Sequence, residues 1–192
     1  MGRAKQFDPD VAVERAMQVF WRKGYGATSP QDLVDALGIG KGSLYNAFGS
    51  KHALFELALR RYRDEQAVQL IELLERPGPV PVRLREALEL LVRMDLDDPD
   101  RKGCMAVNAA AELGGVDQVA TDLVRRMLER TESAFQALVE EGQRSGQIDP
   151  GRDARKLASL LLTTMIGMRL TARTADGPDR LNRVVDALLD SL

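Results

Sequence analysis

Apolar residues recur three and four positions apart along almost the whole chain, and no run of alternating apolar and polar residues bounded by turn residues interrupts them. The pattern predicts an all-α protein of about nine helices. A first helix after Asp8-Pro9 places Val13, Ala16, Met17, Phe20 and Trp21 on one face and stops at Lys23-Gly24-Tyr25-Gly26. A second is capped by Thr28 or Ser29, with Pro30 in its first turn and Gln31 at capping-box spacing from Thr28, and carries Leu33, Val34 and Leu37. After Gly38-Ile39-Gly40 a third begins near Lys41, with Leu44 and Phe48 turned inward and Lys41, Ser43, Tyr45 and Asn46 outward. Two short helices joined by a glycine-bearing turn, with a short, polar and singly cationic outer face, suit a DNA groove.

The rest of the pattern is longer and plainer. Ser50 caps a long helix carrying Leu54, Phe55, Leu59 and Tyr62, which Pro77-Gly78-Pro79 breaks. A fifth helix runs from Val82 to about Met94, and the acidic run Asp95 to Asp100 reads as a polar turn capping a short soft helix, Cys104 to Leu113. Val116 to Gly142 carries a continuous apolar seam, and two terminal helices follow, lined by Leu157, Leu160, Leu161, Thr164, Met165 and Met168 and by Leu181, Val184, Val185 and Leu188. The penultimate helix is apolar around more of its girth than one buried face requires. It lies either between two subunits or at the centre of a monomer's core; we expect a homodimer interface of Leu157, Leu160, Leu161, Thr164, Leu181, Val184, Val185 and Leu188.

Composition narrows the class. No secretory leader opens the sequence, and the longest charge-free apolar stretch, between Lys156 and Arg169, is too short to cross a bilayer, which points to a cytoplasmic protein without membrane contact. A single cysteine, Cys104, excludes an internal disulfide. The net charge is −2, but residues 1 to 63 hold ten Lys and Arg against six acids, leaving +4 on that part and −6 on the remainder. A basic head on an acidic body accounts for the split, as does ordinary scatter of solvated charge.

The segment Thr28 to Leu54 resembles the DNA-binding signature of the tetracycline-repressor-like (TetR) transcriptional regulators. It carries Leu33-Val34, then Ala36-Leu37-Gly38-Ile39-Gly40-Lys41-Gly42-Ser43-Leu44-Tyr45-Asn46-Ala47-Phe48-Gly49-Ser50-Lys51, and ends at Leu54. Two positions depart from the pattern: Gly40 replaces the usual serine and Ala47 the usual histidine. The resemblance implies a helix-turn-helix domain over residues 1–50 and an effector-binding and dimerisation domain over 51–192. By resemblance Tyr45, Lys51 and Thr28 bind the phosphate backbone, Gly42 allows close approach to the duplex, and Lys41, Ser43 and Asn46 read base edges. It further implies double-stranded DNA with a pseudo-palindromic operator, a small-molecule effector and a second copy of the chain as partners.

Other chemistries find less support. Gly38-x-Gly40-x-Gly42 follows no strand and lacks the lysine of a phosphate loop. The acidic run lacks the glycine and closing glutamate of a calcium loop, and the only histidine, His52, has no cluster around it, so neither a metal, a cofactor nor an enzyme is expected. An effector pocket is expected among the soft residues Met94, Cys104, Met105, Met127, Phe135, Met165 and Met168, with Asn108 and Glu112 as polar handles. Cys104, after Arg101-Lys102 at a helix start, reads either as an electrophile or redox sensor or as a small buried hydrophobe. The competing functional classes are a constitutive architectural DNA binder without effector and a helical interaction protein that uses the motif only to pack.

Overall fold

The computed structural model describes residues 7–192, with the side chains of 66–69 excepted. Arg3 and Lys5, two of the cations counted in the basic head, lie outside the described residues. Among the described residues the chain is helical, in the order α1 Pro9–Lys23, α2 Pro30–Leu37, α3 Lys41–Phe48, α4 Lys51–Leu74, α5 Val80–Asp97, α6 Met105–Leu113, α7 Gln118–Arg144, α8 Ala154–Thr171 and α9 Asp179–Asp190.

Local chemistry sets most of these boundaries. Asp8 caps α1 by accepting the Asp10 N–H at 2.9 Å, and Gly24 ends it at φ +82°, a backbone that favours glycine. The capping box of α2 is Ser29 with Asp32, where the sequence pointed to Thr28 with Gln31. The Asp32 N–H donates to Ser29 Oγ at 3.2 Å, and the Ser29 N–H donates to Asp32 Oδ2 at 2.8 Å. Lys23 adds an ion pair to Asp32; with the Ser29 donors it holds this carboxyl well below its ordinary pKa. Ser29→Ala is therefore expected to lower stability by about 1 kcal/mol, measured by urea unfolding, with Thr28→Ser far milder.

α5 starts two residues earlier than the proline pattern indicated, because Pro81 falls in the first helical turn, where a missing N–H costs nothing. It also runs on to Asp97. Asp95 is therefore a buried helical residue and not part of a polar turn.

Among the described residues two apolar cores result. The first joins Met17, Phe20, Leu33, Leu44, Phe55 and Tyr62 to α6 and the first half of α7; the second gathers α5, the second half of α7, α8 and α9. Leu128 packs against both. The three N-terminal helices thus share their core with α4, α6 and α7, so a displacement of α6 is felt directly under the helix-turn-helix.

Candidate functional site

Leu44 is the buried foot of α3, and it leaves Lys41, Gly42, Ser43, Asn46 and Ala47 exposed with Tyr45 half-buried. A Cβ on Gly42 would meet nothing within 4 Å, so the flat spot there faces open space. Gly38 supplies the left-handed turn between α2 and α3, at φ +67°. Two residues expected on this surface sit elsewhere. Thr28 is only 1% exposed and spends its hydroxyl on the Gly24 carbonyl at 2.6 Å, so it packs the α1–α2 loop and presents nothing outward. Lys51 donates to the carbonyls of Tyr25 and Thr28, each at 2.9 Å, with its ammonium 4.2 Å from the centre of the Tyr25 ring. It ties α4 to the α1–α2 loop and is not a free cation.

The same loop is gripped from the other side. The carboxylate of Glu112, in the last turn of α6, accepts the Tyr25 N–H at 2.8 Å and the Gly26 N–H beside it. Successive backbone N–H groups in this conformation form a small anion-binding nest. A Cβ on Gly24 or Gly26 would stand 2.9 or 2.8 Å from a Glu112 oxygen, so an alanine at either position would push the carboxylate aside from its present seat. Trp21 Nε1 donates to the Gly103 carbonyl at 2.9 Å, and His52 bridges Glu56, at 3.0 Å, and Asp117, the cap of α7. The Ala120 N–H, opposed by burial and helped by His52, holds the Asp117 carboxyl below its ordinary pKa.

Behind Trp21 lies an apolar cavity of about 70 Å³, walled by α4, α5, α6, α7 and α8. Leu90, Leu91, Met94, Val107, Met127 and Met165 are among its apolar lining, and Tyr62, Cys104, Thr131 and Arg169 are its polar part. The Tyr62 hydroxyl donates to Cys104 Sγ at 3.3 Å. Burial, reinforced by Cys104, pushes the Tyr62 phenol well above its ordinary pKa, so it stays a neutral donor. Arg169 makes a bidentate pair with Asp95, at 3.0 and 2.6 Å. Burial alone would disfavour the guanidinium charge, but Cys104, Tyr62 and Asp95 outweigh it and hold Arg169 above its ordinary pKa.

Comparison with known proteins places this arrangement. Residues 12–58 match the family described as bacterial regulatory proteins, tetR family, and residues 79–188 match that described as tetracyclin repressor-like, C-terminal domain. Over its whole length the chain is 33% identical to the whole of the uncharacterized HTH-type transcriptional regulator YezE of Bacillus subtilis. Over 98% of its length it is 32% identical to 90% of the HTH-type transcriptional repressor ComR of Escherichia coli. A cysteine-substituted form of the TetR family transcriptional regulator CifR, solved with 26 base pairs of double-strand operator DNA, is 29% identical and superposes with a TM-score of 0.86 over 99% of both chains. The chain belongs to the TetR family.

Within this TetR-family body, four of the residues expected in the pocket line the cavity: Met94, Cys104, Met127 and Met165. The others do not. Met105 is sealed in the first core, Phe135 is fully buried in the second, and Met168 borders a separate void of about 10 Å³ behind the Arg169–Asp95 pair. Asn108 ties loops together, donating to the Lys102 carbonyl and accepting from Arg173, and Glu112 grips the α1–α2 turn. Tyr62 and Arg169 line the cavity although the sequence did not single them out as pocket residues; their signal was a phenol and a guanidinium on otherwise apolar helical stripes. Among the expected interface residues, Leu157, Leu161, Leu181 and Val185 are buried within the chain itself. Leu160, Thr164 and Val184 remain accessible and, over Leu188, border an open groove between α8 and α9 with Arg180 and Arg183. No described helix is long and apolar enough to cross a membrane.

Proposed function

We propose that the protein is a homodimeric, cytoplasmic, non-enzymatic repressor that leaves its operator when a small molecule enters the cavity between α4 and α8. The observation that carries the reading is the pair of links, Glu112 to the Tyr25–Gly26 turn and Trp21 to Gly103, joining α1 and the α1–α2 loop of the head to α6 and the segment just before it, at the cavity wall. ComR is named a repressor and CifR was solved on operator DNA, which supports the same role here.

In this reading residues 1–50 are the DNA-reading head and 51–192 the sensing and dimerising body. Lys41, Ser43 and Asn46 read base edges in the major groove, Tyr45 meets a phosphate, and the Ser29-capped start of α2 serves the backbone in place of Thr28. The groove of Leu160, Thr164 and Val184 takes the second copy, and two heads then reach successive major grooves about 34–36 Å apart.

Selection of an operator from a random duplex pool, followed by affinity measurements on variants, tests this assignment. Asn46→Ala should weaken operator binding by about 1–3 kcal/mol and relax discrimination at one base pair per half-site. Tyr45→Phe should weaken all sequences alike and leave the preference intact. An unchanged preference in Asn46→Ala would remove the base-reading role, and failure to select any sequence would remove the regulator reading.

A further inference from the structure

From the composition of the cavity wall we infer that the effector is an uncharged, mostly apolar compound with one hydrogen-bond acceptor, such as a ketone, aldehyde or ester, its oxygen seated against Arg169 and Tyr62. The inference rests on the reading of this cavity as the effector site. Three observations carry it.

The wall is apolar except for Tyr62, Cys104 and Arg169, which converge, and Thr131, whose hydroxyl proton is already donated to the Met127 carbonyl at 3.2 Å, so a ligand finds its free donors in one place. The donors there outnumber the acceptors. Arg169 commits Nε and one Nη to Asp95, while its other terminal nitrogen makes no hydrogen bond among the described residues, and the side chain lines the cavity. Tyr62 is a neutral phenol whose proton rests on a sulfur at 3.3 Å, a weak acceptor that a carbonyl oxygen would outcompete.

Charge then excludes two classes. Among the described residues the charged groups at this place are Arg169 and Asp95, which neutralise one another. A carboxylate ligand would bring a net negative charge into an apolar enclosure, because the guanidinium is already balanced. An ammonium would stand beside that guanidinium with no carboxylate free to meet it. A neutral acceptor takes the free N–H and adds no charge.

Trp21, the only tryptophan in the chain, meets the Tyr62 ring edge-on at 4.9 Å between centroids and provides the readout. The full-length protein is titrated without DNA against cyclohexanone, cyclohexane, cyclohexanecarboxylate and cyclohexylammonium, following Trp21 fluorescence and thermal stabilisation. Cyclohexanone should bind at least about tenfold more tightly than either charged probe and more tightly than cyclohexane. Tyr62→Phe should erase the advantage over cyclohexane in part, and the charge-neutral double variant Asp95→Asn with Arg169→Gln should erase the rest. A carboxylate or ammonium that binds as well as the ketone would overturn the inference. So would a ketone preference that survives in both variants, or a folded protein that binds none of the four probes. Loss of operator selection with the ketone preference intact would instead count against the regulatory reading alone.

Discussion

Replacing Asp95 by alanine is expected to remove about 3–5 kcal/mol of folding stability, because it strands the Arg169 guanidinium in a nearly closed space with no counter-charge. The two side chains are only 4% and 12% exposed, and two hydrogen bonds, at 3.0 and 2.6 Å, join them. The large figure reports the stranded charge and not the net contribution of the pair. Asp95→Asn combined with Arg169→Gln should therefore cost much less than either Asp95→Ala or Arg169→Met alone. Urea unfolding of the four proteins decides it: a double variant as unstable as either single one would show that the stranded charge is not what destabilises them.

That pair also marks where a sequence stops being informative. The helices themselves were legible, since caps, prolines and glycines act on neighbours in the chain. Ser50 and Gly38 begin and end their helices where the pattern placed them, and α1 begins one residue earlier than expected, at Pro9 behind an Asp8 cap. The helix-turn-helix was legible for the same reason, and so was the outward set Lys41, Ser43 and Asn46. Asp95 was not, because its partner lies 74 residues away and an aspartate four residues before a proline reads locally as a turn. Periodicity told which face of a helix is buried but not against what. Phe135 and Met127 share one seam of α7, yet one lies in the second core and the other at the cavity. Leu157 and Leu160 share a helix, yet one faces the chain's own core and the other the groove.

The packing roles of Lys51 and Thr28 were hidden from the sequence for a related reason. Both sit where the family signature has residues that meet DNA, but here a buried hydroxyl and a lysine with two carbonyl partners close the α1–α2 loop. Through these contacts they hold the loop that leads into α2. The head's geometry depends on what holds that loop, and its second holder belongs to α6.

Glu112→Ala is accordingly expected to weaken operator binding by about 5–150-fold while leaving low-salt binding to random duplex unchanged. The carboxylate makes two charge-assisted bonds to adjacent backbone N–H groups, and nothing on the exposed face of α3 depends on it. Without it the head samples poses that do not match two successive grooves, and specific binding alone needs both half-sites in register. α6 is short and continuous, with Cys104, Ala106 and Val107 at the cavity and Glu112 at the loop, so an effector that shifts its first turn also shifts this grip. Gly26→Ala provides an independent check, since its added Cβ would crowd the Glu112 oxygen at 2.8 Å without touching DNA-facing side chains. The two variants should weaken the operator by similar factors, and their combination should be no worse than either, because each breaks the same contact. Losses that multiply in the double variant, or a Glu112→Ala protein with native operator affinity, would show that the head is held by Lys51 and its core alone.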